Sequence, residues 1–318
     1  MRRRELAAVF GAVLAVAIAP SCAENPVAPK VLAPAPELVS LAEITVERFW
    51  YPIDERPGSA ADTGQNWADL YLPAGPQRVD SIPLVVLIHG GAWQSALGAN
   101  IFDGLARELA GRGFAVYNVE YRRIGSGGGW PNTFRDVAHA LDNIIEVDRK
   151  YPQLTIDDEL VVGHSAGAQL AVWASTRKNL KANEEGSRPV FRPTRVISLA
   201  GPLDMVYAAN HGDDHIVTVL GGRPSEVPDR YASVDPIQNI DPTVPVIALH
   251  GTRDTVVAPA NSERYVAAVK HRGGRAAVEL LPGDTHTSIV SARSPHYQHV
   301  LHVITTTSQA ELATLLKE

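Results

Sequence analysis

The chain has 318 residues, 45% of them hydrophobic, and a formal net charge of −6 at pH 7. That is apolar material for one substantial core, and the charge, with no basic run beyond residue 4, argues against a nucleic-acid partner. Twenty-three prolines and 25 glycines suit a fold with many strand-to-helix turns, and a lone cysteine, Cys22, excludes an intramolecular disulfide.

The chain opens on Arg2-Arg3-Arg4, followed by the apolar run Leu6–Ala19 and the small residues Ser21-Cys22-Ala23. The run is too short and alanine-rich for a membrane span, and the order basic, apolar, small is that of an exported protein's signal peptide, assigned to residues 1–23. Two processing routes fit it: ordinary cleavage after Ala23, or lipidation of Cys22 as the first residue of a membrane-anchored lipoprotein. Either way the expected location is beyond the cytoplasmic membrane, periplasmic or secreted. Residues 24–40, ENPVAPKVLAPAPELVS, carry four prolines and little periodicity, as an extended tether would. The folded domain is expected to cover 41–318.

Within it, Glu43–Tyr51 alternates apolar and polar residues, with Asp69–Pro73 as its hairpin partner. Leu84–Ile88 (LVVLI) is an unbroken apolar run typical of a strand covered on both faces. It ends in His89-Gly90-Gly91-Ala92-Trp93. An amphipathic helix over Ile101–Gly111 and a strand over Phe114–Val119 follow, then a helix over Asn132–Lys150 with apolar residues at Phe134, Val137, Ala138, Leu141, Ile144 and Ile145. Leu160–Val162, Arg195–Leu199, Val246–Leu249 and Ala277–Leu281 read as further strands, and Glu311–Lys317 as part of a closing helix. This alternation predicts an α/β fold: a mostly parallel central sheet, helices on both faces, and ligands at the carboxyl ends of the strands. Residues 201–243 interrupt the rhythm with turns and short helical hints, and are read as a small lid-like insertion over the strand ends.

The strand Leu160–Val162 meets Gly163-His164-Ser165-Ala166-Gly167, and an alanine-rich helical segment follows at once. Strand, G-x-S-x-G, helix is the context of a nucleophile elbow, a turn so tight that its flanks must be glycine or very small. The turn lifts the serine hydroxyl to a helix N-terminus, where developing negative charge is favoured. Serine is a weak nucleophile by itself and needs a base, which in turn needs an orienting acid. Asp254 follows the strand at Val246–His250, and His286 follows the strand at Ala277–Leu281, giving the chain order serine, acid, histidine. Asp204 is a rival acid, and His296, His299 and His302 are rival bases beyond the last strand.

Acyl transfer also needs preorganised donors for the carbonyl oxygen, each worth ~10²–10³ in rate. Ala166, directly after the serine, supplies one backbone N–H; Gly91 and Ala92 supply the others, with Gly90 permitting the bend. His89 and His164 read as structural hydrogen-bonders, and Trp93 as either pocket wall or packing. His211-Gly212-Asp213-Asp214-His215 matches no metal-ligand spacing and reads as a solvated loop. Gly125–Gly129 lacks the lysine and the context of a phosphate cradle. No cofactor or metal is expected.

HGGAW, NVEYRRIGSGGGWP, GHSAGAQLA, HGTRDTVV and GDTHT, in this order, resemble the α/β-hydrolase superfamily, in particular the esterase/lipase-like branch that includes kynurenine formamidases and bacterial carboxylesterases. The resemblance spans roughly residues 45–310. It implies Ser165 as nucleophile, His286 as base, Asp254 as acid, Gly91, Ala92 and Ala166 as oxyanion donors, and Glu120-Tyr121-Arg122 as structural support near the oxyanion loop. Two departures matter. The segment after His286, TSIVSARSPHYQ, lacks the usual aromatic-rich continuation, and an export signal does not suit a formamidase of cytoplasmic catabolism. The reading is therefore a carboxylesterase-type serine hydrolase acting on a small-molecule ester. An amidase or formamidase, an aminopeptidase of the prolyl-oligopeptidase type, and a non-catalytic binding protein are the alternatives.

Overall fold

The computed structural model describes residues 44–53, 64–94 and 96–316. The expected signal peptide (1–23) and tether (24–40), Cys22 included, lie outside the described residues. All described residues fall in one unit, 37–318.

Among the described residues eight strands form one sheet: β1 (Thr45–Trp50), β2 (Trp67–Leu72), β3 (Ile82–Ile88), β4 (Ala115–Val119), β5 (Leu154–His164), β6 (Arg195–Leu199), β7 (Val246–Gly251) and β8 (Ala276–Leu281). Their spatial order is β1-β2-β4-β3-β5-β6-β7-β8. The β1–β2 and β2–β4 pairs are antiparallel, and from β4 to β8 every pair is parallel.

Period-2 alternation in the central strands feeds two cores. Leu84, Val86 and Ile88 of β3, Tyr117 of β4 and Val161 of β5 point to one face, with Phe134, Val137 and Leu141 of α2 (Asn132–Asp142), Leu170 and Trp173 of α4 (Ala166–Thr176), and Tyr265 and Val269 of α8 (Ala260–His271). Val85, Leu87, Val116, Leu160 and Val162 point the other way, against Leu105 and Leu109 of α1 (Asp103–Gly111) and Val300, Leu301 and Ile304 of α9 (Tyr297–Gln309). The unbroken apolar run of β3 is thus explained by helices on both sides.

The helix expected over Asn132–Lys150 is two, α2 and α3 (Ile144–Lys150). Asn143 between them is a turn residue whose carbonyl accepts from Glu146 N three residues on (3.0 Å), and there the helix is interrupted. The helix expected over Glu311–Lys317 is not formed across its described residues: α9 stops at Gln309 and 312–316 are turn. Arginines take the carbonyls there, Arg195 Nη1 donating to Ala310 O (2.6 Å) and Arg275 Nη1 to Leu312 O (2.6 Å) and Leu315 O (2.9 Å).

Between β6 and β7 lie α5 (Met205–Asn210), α6 (Asp214–Leu220) and α7 (Pro228–Val234). This stretch is fixed to the body at several points. Trp173 Nε1 donates to Ser233 O (3.1 Å), Gln169 Nε2 to Val234 O (2.8 Å) and Trp130 N to Val219 O (2.8 Å), while Met205 N donates to Asp235 Oδ1 (2.9 Å) within the stretch itself.

Candidate active site

The site grows from the carboxyl ends of β3, β5, β7 and β8. At the end of β5, Ser165 has φ 54° and ψ −123°, a conformation L side chains rarely adopt. It is held there by its own N–H donating to Leu199 O of the neighbouring strand (2.8 Å). The flanking glycines are required sterically. A Cβ on Gly163 would run into the backbone of Gly167, and one on Gly167 into the carbonyls of Ile88 and His89. All of α4 is buried, and its glycine and alanines let it start directly against the sheet.

The structure brings the three candidates together. His286 Nε2 lies 2.7 Å from Ser165 Oγ, and His286 Nδ1 lies 2.8 Å from Asp254 Oδ2. Asp254 Oδ1 accepts from the N–H groups of Val256 and Val257, both at 2.9 Å. Burial by itself would raise the Asp254 pKa, but hydrogen bonds from His250, His286 and Val257 N outweigh it, and the carboxyl sits well below the usual carboxylate range. The rivals are engaged elsewhere. Asp204 caps α5, accepting from Tyr207 N (2.9 Å), and pairs with Arg264 Nε (2.7 Å). His296 bonds Asp284, His299 lies against Glu279, and His302 is exposed on α9.

The oxyanion loop leaves β3 with φ +122° at Gly91 and +54° and +55° at Ala92 and Trp93. Consecutive positive φ values turn successive backbone N–H groups toward one side. No acceptor is found among the described residues for the N–H groups of Gly91, Ala92 or Ala166. Gly90 brings this loop against the elbow: a Cβ there would stand 2.8 Å from His164 O and 2.9 Å from Ser165 Cβ. Trp93 is 2% exposed and packs in the core, so of its two readings the structure gives packing.

Beneath the loop is a buried polar cluster. His89 Nε2 bonds Glu120 Oε1 (3.0 Å), Glu120 Oε2 accepts from Ala99 N (3.0 Å), and Tyr121 O–H donates to His89 O (2.8 Å) while its ring stacks on the imidazole at 4.3 Å. Burial opposes ionisation of Glu120, yet the hydrogen bond from His89 and the nearby Arg123 leave its pKa lowered. His164 has a different task. Its Nε2 donates to His286 O (2.8 Å), tying the elbow to the histidine loop, and burial pushes its pKa down to about 4, so the ring is neutral.

Sequence reasoning missed four contributors. Asp284, two residues before His286, accepts from Ser288 Oγ (2.6 Å), Ser294 Oγ (2.8 Å) and His296 Nδ1 (2.8 Å), so TSIVSARSPHYQ anchors the histidine loop by polar bonds, while its Ile289 and Tyr297 are buried in the core. His250 and Ser262 stand behind Asp254. Gln94 Nε2 donates to His215 Nδ1 (2.9 Å), joining the oxyanion loop to α6. For three of them the available signal was position: Asp284, His250 and Gln94 each lie within four residues of Asp254, His286 or Trp93, whereas Ser262 lies eight residues past Asp254 and carried no such signal. Between the α5–α6 connection and the loop after Asp254 lies a half-open pocket of about 380 Å³, lined by Tyr207, His211, Asp213, His215, Val256 and Asn261 among others. Asp213 Oδ1 caps α6 through His215 N (3.1 Å), and among the described residues no group of three or more His, Cys, Asp or Glu is placed to hold a metal ion.

A sheet in which, among the described strands, β2 alone runs against the rest, a serine elbow after β5, and acid and histidine loops after β7 and β8 define an α/β-hydrolase fold. The family model described as BD-FAE matches residues 68–269, more than half of the chain, and the chain belongs to that family. It is similar to a probable isoprenylcysteine alpha-carbonyl methylesterase of Oryza sativa subsp. japonica, 27% identical over 243 residues, covering 72% of this chain and 56% of that protein. The chain thus spans little more than half the length of that relative. Two solved structures share the fold. One is the thermophilic esterase Est2 of Thermogutta terrifontis, with TM-score 0.66, 21% identity, and coverage of 87% of this chain and 96% of the other. The other is a truncated carbohydrate esterase from gut microbiota, with TM-score 0.66, 19% identity, and coverage of 86% and 100%.

Proposed function

We propose that this protein hydrolyses carboxylic esters through an acyl-enzyme on Ser165. The observation that carries the reading is the continuous chain Ser165 Oγ, His286 Nε2, His286 Nδ1, Asp254 Oδ2, with contacts of 2.7 and 2.8 Å. As Oγ attacks the ester carbonyl carbon, its proton passes to His286 Nε2, and Asp254 stabilises the resulting imidazolium. The carbonyl oxygen takes the negative charge and is met by the N–H groups of Gly91, Ala92 and Ala166. His286 then protonates the departing alkoxide. Water, losing a proton to the same nitrogen, cleaves the acyl-enzyme, releasing the acid and restoring the Ser165 hydroxyl. The methylesterase and esterase names of the similar proteins point to the same bond.

The insertion at 201–243 serves in this reading as a wall on the substrate side, supported by the place of Tyr207, His211 and His215 in the pocket beside the acid loop. Export through residues 1–23, with Cys22 either lipidated or removed with the leader, is part of the same proposal and rests on the basic, apolar, small order of those residues. Intact-mass analysis of the mature N-terminus tests it: a diacylglyceryl adduct on Cys22 means an anchored lipoprotein, a start at Glu24 means a soluble exported form, and an uncleaved Met1 sinks the assignment.

An organophosphonate probe tests the mechanism. One adduct per chain, on Ser165, and loss of p-nitrophenyl acetate hydrolysis in Ser165→Ala are expected; full activity in Ser165→Ala would overturn the reading. Relative rates on p-nitrophenyl acetate, N-formylkynurenine and an aminoacyl anilide separate ester from amide chemistry, with the ester expected to be fastest.

A further inference from the structure

The described mechanism leaves one buried histidine beside the triad without a task. His250 is the penultimate residue of β7, four residues before Asp254, and its side chain is 0% exposed. Its Nε2 faces two acceptors, Val257 O at 2.9 Å and Asp254 Oδ2 at 3.2 Å, so that nitrogen must carry a hydrogen. Its Nδ1 lies 2.8 Å from Ser262 Oγ, on the first turn of α8, and Ser262 is itself 0% exposed. A neutral imidazole satisfies all of this when the Ser262 hydroxyl donates to Nδ1, and the ring is then locked in one tautomer from behind.

The second consequence falls on the carboxylate. Oδ2 is the oxygen that faces His286, and it is also the one His250 reaches; Oδ1 is held separately by the N–H groups of Val256 and Val257. A buried carboxylate with both oxygens filled is fixed in rotation and keeps its charge. With Oδ2 shared between two imidazoles, its pull on the His286 N–H is set partly by His250. The titratable groups around this carboxylate are His250 from the end of β7 and His286 from the loop after β8, while His164 from the elbow faces the His286 carbonyl.

We propose that His250, held in its Nε2–H tautomer by Ser262, is a positioning residue that orients the Asp254 carboxylate toward His286 and tempers its attraction for the imidazolium. This rests on the Ser165–His286–Asp254 reading above. Loss of the donor would free Oδ2 to bind the imidazolium more tightly. The acid limb of kcat/KM would then move to higher pH, while looser orientation lowers kcat.

The test uses the full chain, with active serine counted by phosphonate adduct and rates on p-nitrophenyl acetate measured from acid to alkaline pH. In His250→Phe, kcat per labelled serine is expected to fall roughly 10- to 100-fold, the range for one lost hydrogen bond to a charged group, with KM near the parent value and the acid limb displaced upward. His250→Gln, which can still present an N–H to Asp254, should recover most of the rate and return the limb toward its parent position. Ser262→Ala should shift both quantities in the same direction by less. A fully labelled His250→Phe with parental kcat and limb would overturn the proposal while leaving the triad standing, as would a rate loss with the limb unmoved and no recovery in His250→Gln. If His250→Phe does not fold, a Ser262→Ala with parental rate and limb overturns it. A parent enzyme that takes no adduct on Ser165 overturns the triad reading and this one with it.

Discussion

Ser165 is where single residues matter most, because its left-handed backbone leaves no slack around it. Gly90 illustrates the constraint: its missing Cβ is what lets the oxyanion loop lie against His164 O and Ser165 Cβ, at 2.8 and 2.9 Å from the position that carbon would take. Gly90→Ala must push the two apart by a sizeable fraction of an ångström, and misplacements of that order cost roughly 100-fold. Steady-state kinetics should show the loss in kcat more than in KM, with Ser165 still labelled by the phosphonate, only more slowly. Asp254→Asn is the complementary case. The amide presents at best one acceptor to His286 and loses the charge that stabilises the imidazolium, so kcat should fall about 10⁴-fold with the fold intact, as near-parental thermal unfolding would show.

At the scale of elements, the site depends on loops that are braced rather than long. The connection from β4 to α2 is fixed by Arg122, whose Nε and Nη2 each reach Asp136 at 2.7 Å, with both side chains at most 1% exposed. Asp136→Ala would leave the guanidinium buried without its carboxylate, a loss of about 3–5 kcal/mol. The expected signature is a lower urea midpoint at unchanged m-value. The brace between oxyanion loop and insertion is lighter, a single bond from Gln94 to His215. Gln94→Ala and His215→Ala should each lower kcat/KM by roughly two- to tenfold, the range for a neutral hydrogen bond. The double variant should be little worse than either, since both remove the same contact; additive losses would show that the two act separately.

For the molecule as a whole, pH is the lever that reaches the core. His164 titrates near 6.5 when unfolded and near 4 when buried, so between these values the unfolded chain binds the extra proton. Stability must therefore fall as pH drops through that window, by roughly 3 kcal/mol if the whole shift is realised. Asp235 acts in the opposite sense. Burial raises its pKa to about 6, so the folded state binds its proton first and gains stability on acidification from there. The two nearly cancel, and the parent profile alone will not display either. His164→Gln, which keeps a donor toward His286 O, removes only the histidine contribution. Urea unfolding at neutral pH and at about pH 4.5 should show the variant losing less stability on acidification than the parent, or even gaining it; identical slopes would mean His164 does not titrate as its burial requires.

Much of this site was legible in one dimension. Glycines flanking Ser165, the apolar run before it and the small residues after it are local requirements of a tight turn, and local requirements are written in adjacent residues. The same holds for β3, whose unbroken apolar run announces two covered faces, and for the placing of Asp254 and His286 just past strands. The errors fell where a local turn or a distant partner overruled the apolar pattern: the turn at Asn143 divides one predicted helix, and Arg195 and Arg275 take carbonyls at the place of another. What the sequence by itself determined was the class of fold and the three residues brought together at its centre. What only the tertiary structure decided was how they are held there: His164 on the His286 carbonyl, Asp284 bracing the histidine loop, His250 and Ser262 behind the acid, Gln94 latched to His215. Those contacts join residues far apart along the chain or merely adjacent to a motif, and no periodicity or spacing encodes a hydrogen bond that exists only once the strands have set their order.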